Sequence, residues 1–174
     1  MTNFRIRRSI VSDFEPIRNL LIKCFGERTE NDVELFGYVT DGSIIVMTYD
    51  DKIVATAGII NTTFENEYVH ELRYVCTDPE YRKQGIMHDV LKEAITSLWK
   101  SKKLICWAVR EHEQTKANLH SILVNNGFKR VDNVEKEWTC KTCRRAYGFK
   151  CNLQYAVDSN GCNCHEELWI ITKA

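Results

Sequence analysis

The chain is poor in the residues that interrupt regular structure, with two prolines and eight glycines in 174 residues. It has no internal repeat, no low-complexity tract and no apolar run long enough to span a bilayer, so no membrane segment is expected. An excess of either charge is also missing, because 24 Lys and Arg balance 24 Asp and Glu. That balance removes the electrostatic footprint of a general nucleic-acid binder. The opening "MTNFRIRRSIVSDF" carries no long apolar stretch, and cytoplasmic localisation is the expectation. The length suits one well-filled domain spanning 1–174.

Cysteine, by contrast, is abundant, with eight in the chain. In a reducing compartment a disulfide framework is not expected, so clustering is the informative property. Cys24, Cys76 and Cys106 stand among apolar neighbours and read as small buried hydrophobes. Cys140, Cys143, Cys151, Cys162 and Cys164 crowd together near the end of the chain.

Periodicity predicts the elements. "FRIRRS" alternates as a strand, and Ser12 with Glu15 offers a capping box for the helix "DFEPIRNLLIKCF". A short helix fits "ENDVELFGYV". "SIIVMTY", a turn at Asp50-Asp51 and "IVATAGIINTTF" read as an antiparallel hairpin. "YVHELRYVCT" is a further strand, and Gly85 to Trp99 a helix with Ile86, Val90, Leu91, Ala94, Ile95 and Leu98 on one face. "KLICWAV" is apolar nearly throughout, as a strand covered on both faces should be. "QTKANLHSILVNNGF" is a last helix ended by Gly127, and "FKRVDNV" and "ELWIITK" are the closing strands. This order predicts an α/β (α+β) fold, a mixed and mostly antiparallel sheet with helices on both faces. Residues 138–165 lack any apolar period and read as a clamped insertion before the last strand.

One of the two prolines and one of the eight glycines bracket a pair of cations in "DPEYRKQGIMHDVL". Pro79 stops the strand, Gly85 opens the helix, and Arg82 and Lys83 add charge beside it. A helix start leaves backbone N–H groups without partners at the positive end of its dipole, which makes a cradle for a diphosphate. Neither the P-loop spacing nor the Gly-x-Gly-x-x-Gly fingerprint is present.

The stretch "YVCTDPEYRKQGIM" resembles motif A of the GNAT acetyltransferase superfamily, whose core reads Arg/Gln-x-x-Gly-x-Gly/Ala. The order of elements matches that superfamily over nearly the whole chain apart from the cysteine segment. The resemblance implies a GNAT-like acyl-CoA N-acyltransferase fold and an acetyl-CoA-dependent N-acetyltransferase acting on a primary amine. It implies that Arg82, Lys83, Gln84, Gly85, Ile86 and Met87 hold the diphosphate of acetyl-CoA. Val75 and Thr77 would contact the pantetheine arm, and Asn118 would contact it from the last helix. Met87 stands where the motif has a small residue, so its side chain must turn away from the phosphates. By spacing from Arg82, Glu71 matches the general-base glutamate of the histone-acetylating members of the superfamily, with a strand-edge ion pair to His70, Arg73 or a lysine as the structural alternative. The oxyanion would meet a backbone N–H near Val75. Leu123 occupies the place of the tyrosine that many members use as general acid. His112 and His120 lie near the expected cleft, and water is the remaining proton source for the thiolate. Dimers are common among such proteins, so a homodimer is an expected partner beside acetyl-CoA and the acceptor.

"CKTC" and "CNCH" give Cys-x-x-Cys and Cys-x-Cys-His, spacings that suit a closed tetrahedral zinc site. Cys140, Cys143, Cys162 and Cys164 are the favoured ligands, with Cys151 and then His165 in reserve. Lys141, Arg144, Arg145 and Lys150 make the segment basic. The reading from a different class is a non-catalytic CoA-binding module, or one that docks a partner through the zinc loop. The identity of the acceptor is not readable from these residues, because acceptor-side loops vary on a shared fold.

Overall fold

Among the described residues, alternation and branching in the sequence resolve into seven strands of a single sheet. The computed structural model describes residues 3–25, 32–110, 118–137 and 165–173. The strands are β1 (Phe4–Arg8), β2 (Ile44–Tyr49), β3 (Lys52–Phe64), β4 (Glu67–Thr77), β5 (Lys103–Arg110), β6 (Lys129–Glu137) and β7 (His165–Thr172). They lie in the order β1-β2-β3-β4-β5-β7-β6, and among neighbours only β4 and β5 run parallel. The β2–β3 hairpin turns at Asp50 and Asp51, both with positive φ, as a tight hairpin turn requires.

Helices α1 (Phe14–Phe25) and α2 (Asp32–Thr40) cover one face. Ile17, Leu20, Leu21, Leu35 and Val39 pack there on Ile44, Val46, Ile53 and Ile60. Helices α3 (Ile86–Leu98) and α4 (Asn118–Asn125) cover the other. Val90, Leu91, Ala94 and Leu123 pack there on Ile45, Val54, Leu72, Leu104 and Cys106. Each fully buried aliphatic side chain of this kind contributes about 1.5–3 kcal/mol over its exposed state. A smaller cluster of Val69, Ile105 and Leu168 joins β4, β5 and β7.

Two expectations are corrected in detail. The first helix is not closed by Ser12 and Glu15. A 3₁₀ turn, Val11–Asp13, precedes α1, and the Asp13 carboxylate accepts the Ile10 N–H at 2.8 Å. Arg7 fixes that carboxylate with contacts of 2.5 and 2.9 Å, so Asp13 holds the entry to the helix. The last strand begins at His165, which therefore belongs to β7 rather than to the insertion. Of the last expected helix, Asn118–Asn125 forms α4, and residues 111–117 lie outside the described residues.

Candidate active site

The site begins with an irregularity in β4. Thr56 pairs with Cys76 and Gly58 with Arg73, so Tyr74 and Val75 together face the single residue Ala57. Tyr74 takes a positive φ of 56°, uncommon for a bulky side chain. This bulge reverses the strand's facing. Leu72 packs on the α3 side, whereas Tyr74 and Cys76 pack on the α1–α2 side. Two features seat it. The Thr56 hydroxyl donates to the Tyr74 carbonyl at 2.7 Å, and Gly58 leaves room for the Tyr74 ring.

The bulge lies where the sheet opens. Strands β4 and β5 pair only at His70↔Leu104 and Glu71↔Ile105. Beyond that point β4 continues on β3 to Thr77, and β5 continues on β7 to Arg110. Among the described residues each then has one edge without a strand partner, and a wedge-shaped gap separates them. The Asp78 N–H points at β3, donating to Val54 at 2.8 Å. Strand alternation therefore turns the amides of Thr77 and Val75 the other way, toward the gap. An extended chain with alternating donors and acceptors can pair with such an edge.

The loop at the head of the gap is anchored by Asp78, which is 1% exposed. Its carboxylate accepts from Lys23 Nζ at 2.7 Å, lies 3.2 Å from Lys52 Nζ and accepts the Glu80 N–H at 3.1 Å. Burial alone would raise its pKa, but these partners outweigh it and hold the carboxylate below its ordinary value. Pro79 then starts a 3₁₀ turn, Pro79–Tyr81. Arg82 folds back, its Nε donating to the Thr77 carbonyl at 3.2 Å. Lys83 and Gly85 both take left-handed φ values, 63° and 78°, so the chain winds tightly into α3. The first amides of α3 bonded within the protein are those of His88 and Asp89, both to the Gly85 carbonyl. The amides of Lys83 through Met87 have no backbone partner among the described residues. Arg82, Lys83, Gln84 and Gly85 are exposed, while Ile86 is buried. Met87 is partly buried against the α3-side core.

Glu71 sits at the apex of the gap, at the last β4–β5 pair, and is 7% exposed. Its carboxylate pairs with Arg73 Nε at 3.1 Å, the ion pair foreseen as the structural alternative. Arg73 also reaches Glu34 of α2 at 3.6 Å, and Glu34 accepts the Tyr38 hydroxyl at 3.0 Å. This chain of groups lies on the α1–α2 side, across the sheet from α3. His70 faces the other way. Its Nδ1 accepts the Ser101 N–H at 3.0 Å, and burial, with Lys173 adding, lowers its pKa below the ordinary histidine value.

On α4, Leu123 is fully buried in the α3-side core, and His120 Nε2 lies 3.7 Å from Glu167. Asn118 opens α4, with its side chain outside the described residues, and His112 is outside them too. Cys140, Cys143, Cys151, Cys162 and Cys164 all lie outside the described residues, as does the His165 side chain. Among the described residues no group of three or more His, Cys, Asp or Glu could hold a metal ion. No described helix is long and apolar enough to cross a membrane.

The Asp78 anchor and the Tyr74 bulge escaped the sequence reading. The bulge had one visible signal, Gly58 on the facing strand, since an interior strand glycine marks close approach.

The model of the acetyltransferase (GNAT) family matches residues 14–123. No curated protein matches the sequence. Diaminobutyrate acetyltransferase from Paenibacillus lautus, solved with L-2,4-diaminobutyric acid and coenzyme A, is similar at a TM-score of 0.66 and 11% identity. That match covers 99% of this chain and 96% of that one. A ribosomal-protein alanine N-acetyltransferase from Escherichia coli gives 0.63 at 13% identity, covering 97% and 93%. An acetyltransferase of the GNAT family from Bacillus cereus ATCC 10987 gives 0.60 at 15% identity, covering 98% of each chain.

Proposed function

The chain belongs to the acetyltransferase (GNAT) family, and from that premise we propose that it moves the acetyl group of acetyl-CoA directly to a primary amine. The observation that carries this reading is the edge of β4 that, among the described residues, has no strand partner and ends at a turn whose amides, Lys83 to Met87, have no backbone partner there either. The diphosphate would lie on those amides, with Arg82 and Lys83 beside it and the Met87 side chain turned into the core. The pantetheine arm would extend along the gap and pair with the backbone of Thr77 and Val75. Asn118 would contact the arm from α4.

The thioester then comes to rest near Glu71. The Val75 N–H would donate to the oxyanion as the amine adds to the thioester carbon. Glu71 takes the amine proton, directly or through water, once Arg73 yields its oxygen to the acceptor. Collapse of the tetrahedral adduct breaks the C–S bond, and the thiolate draws its proton from water, since buried Leu123 offers none. The amine enters from the α1–α2 side, where Glu34 and Glu71 favour a cation. A small molecule and a protein or peptide amine both remain within this reading.

We read the chain as one domain, 1–174, with the cysteine-rich segment inserted between β6 and β7, and as cytoplasmic, where acetyl-CoA is at hand. The Glu137↔His165 pairing supports the clamp, because it sets the two residues that flank the segment opposite each other on β6 and β7. Four thiolates from Cys140, Cys143, Cys162 and Cys164 suit zinc, which in a closed site would supply a crosslink and no catalysis. A homodimer is part of the proposal, and its test is molecular mass in solution.

The second reading, a CoA-binding or zinc-loop docking module without catalysis, draws on Glu71 being held by Arg73 and on Leu123 in the tyrosine's place. A thiol-release assay over a panel of amines, run with Glu71→Gln, separates the two. The enzyme reading expects turnover in the parent and a loss of about 10²–10⁴-fold in the variant with CoA affinity kept. Turnover unchanged in the variant would remove Glu71 from the mechanism. CoA binding with no turnover on any amine would favour the module.

A further inference from the structure

Arg73 meets two carboxylates at once. Its Nε lies 3.1 Å from Glu71 on the same face of β4, and its Nη1 lies 3.6 Å from Glu34 in the first turn of α2. Glu71 is buried, whereas the Arg73 and Glu34 side chains are 39% and 44% exposed. The guanidinium thus spans a buried acid at one nitrogen and an exposed acid at another. The exposed acid is itself fixed. Tyr38, one helical turn beyond Glu34, donates its hydroxyl to the Glu34 carboxylate at 3.0 Å. Burial, with Glu34 adding, raises the Tyr38 pKa, so the hydroxyl keeps its proton and stays a donor. The Tyr38 ring packs on Tyr74 of the bulge, with ring centroids 6.2 Å apart. Glu34 is therefore tied through Tyr38 to the strand that carries Glu71. Asp32, the other acid of that turn, pairs instead with Arg18 at 3.2 Å.

A buried carboxylate cannot give up its counterion without cost, so whatever takes Arg73 from Glu71 must itself carry positive charge. The displaced guanidinium needs a counterion in turn. Glu34 already lies beside it, and side-chain torsions of Arg73 alone close the remaining distance, with β4 and α2 left in place. We propose that Glu34 is a positioning residue that receives the Arg73 guanidinium when an alkylammonium acceptor displaces it from Glu71. The acceptor class follows from the exchange. An amine that arrives protonated leaves one positive charge on Glu71 and one on Glu34, so both acids are balanced. An aromatic amine, neutral near neutral pH, has no charge to exchange for Arg73 and is excluded. Glu71 then meets the reacting nitrogen directly, and Arg73 waits on Glu34 until the amide product, which carries no charge, departs.

This inference rests on the acetyl-transfer reading of the gap, and the experiment keeps the two apart. The Arg73 Nε–H gives a ¹⁵N signal of its own, identified by its loss in Arg73→Gln. Adding n-butylammonium to the full-length parent, with and without CoA, should shift that signal. The uncharged counterpart n-butanol should not shift it. In Glu34→Gln, which keeps an oxygen for the Tyr38 hydroxyl, the signal should stay in place under n-butylammonium. A signal unmoved in the parent, moved equally in the variant, or moved equally by n-butanol overturns the inference, whether or not any amine turns over. Thiol-release kinetics give the second measurement, on the panel amine that turns over fastest. Glu34→Gln should lower kcat/KM for that amine about tenfold, the worth of a bond to a charged group, with KM for acetyl-CoA and Tm unchanged. In the Arg73→Gln background the same substitution should change it by less than about twofold, because no guanidinium is left to receive. Equal losses in both backgrounds overturn the inference. A parent that turns over no amine, or full turnover by Glu71→Gln, instead strikes the acetyl-transfer reading, and the Arg73 signal still decides the exchange.

Discussion

Replacing Gly58 by alanine is the sharpest perturbation of the opened sheet, because it touches the bulge without touching any proposed ligand contact. An added Cβ would stand 3.1 Å from Tyr74 Cδ2, 3.3 Å from Ile44 Cγ1 and 3.4 Å from the Arg73 carbonyl oxygen. The two carbon contacts are closer than the optimum of about 3.5–4.0 Å, and the oxygen lies at ordinary contact distance. Overpacking of this size costs about 1–3 kcal/mol. The stiffer unfolded chain returns about 0.4–1 kcal/mol. The net loss is about 1–2 kcal/mol, which lowers Tm by about 2–8 °C for a chain of this size. The ring must give way, and since Tyr74 is the bulged residue, the edge that faces the gap shifts with it. CoA affinity should fall by about tenfold, the measure of a paired strand contact displaced by a fraction of an ångström. Thermal melts and CoA calorimetry on Gly58→Ala, Tyr74→Leu and the double variant test this. The alanine should cost less in the Tyr74→Leu background, where the ring is gone. If Gly58→Ala melts and binds like the parent, the bulge is not seated as argued and the gap does not depend on it.

Asp78→Asn should lose about 1.5–3 kcal/mol at pH 7, the worth of a charge-assisted bond to a buried carboxylate. The Asp78 pKa is lowered in the fold, so its contribution is present above the ordinary carboxylate range and fades as pH falls through the lowered value. Denaturant titrations of parent and variant should therefore converge in strong acid, and a constant difference would contradict the anchor. His70 has a lowered pKa, so its contribution is whole above about pH 6.5 and declines as pH falls below it. His70→Gln should flatten the pH dependence of stability in that range, and an unchanged slope would place the titrating group elsewhere. Protein purified without added zinc should carry about one equivalent of metal, lost in Cys140→Ser with Cys143→Ser. A folded, metal-free parent would refute the clamp.

Legibility followed the length of each signal. Helix α3 was readable because Gly85 marks its start and Ile86, Val90, Leu91 and Ala94 recur at helical spacing over several turns. The β2–β3 hairpin was readable from two aspartates that tolerate positive φ between branched runs. Strand β4 was readable as a strand, yet not as a bulged one. "ELRYVC" is apolar or amphipathic on both faces, so a one-residue slip leaves no mismatch in the pattern. The ion pair of Glu71 with Arg73 follows from their two-residue spacing on one face, whereas Glu34 joins them only through the packing of α2. Asp78 carries no local signal of its anchoring role, because its lysine partners come from α1 and β3, far off in sequence.

The account stands on a diphosphate bound by backbone amides at the start of α3, and amide chemical shifts read that directly. Titration of ¹⁵N-labelled protein with CoA should saturate at one equivalent. The largest shifts should fall on Lys83 to Met87, with Val75 and Thr77 moving in step along the gap. Saturable binding that leaves those amides unmoved, or no binding at millimolar CoA, would contradict it.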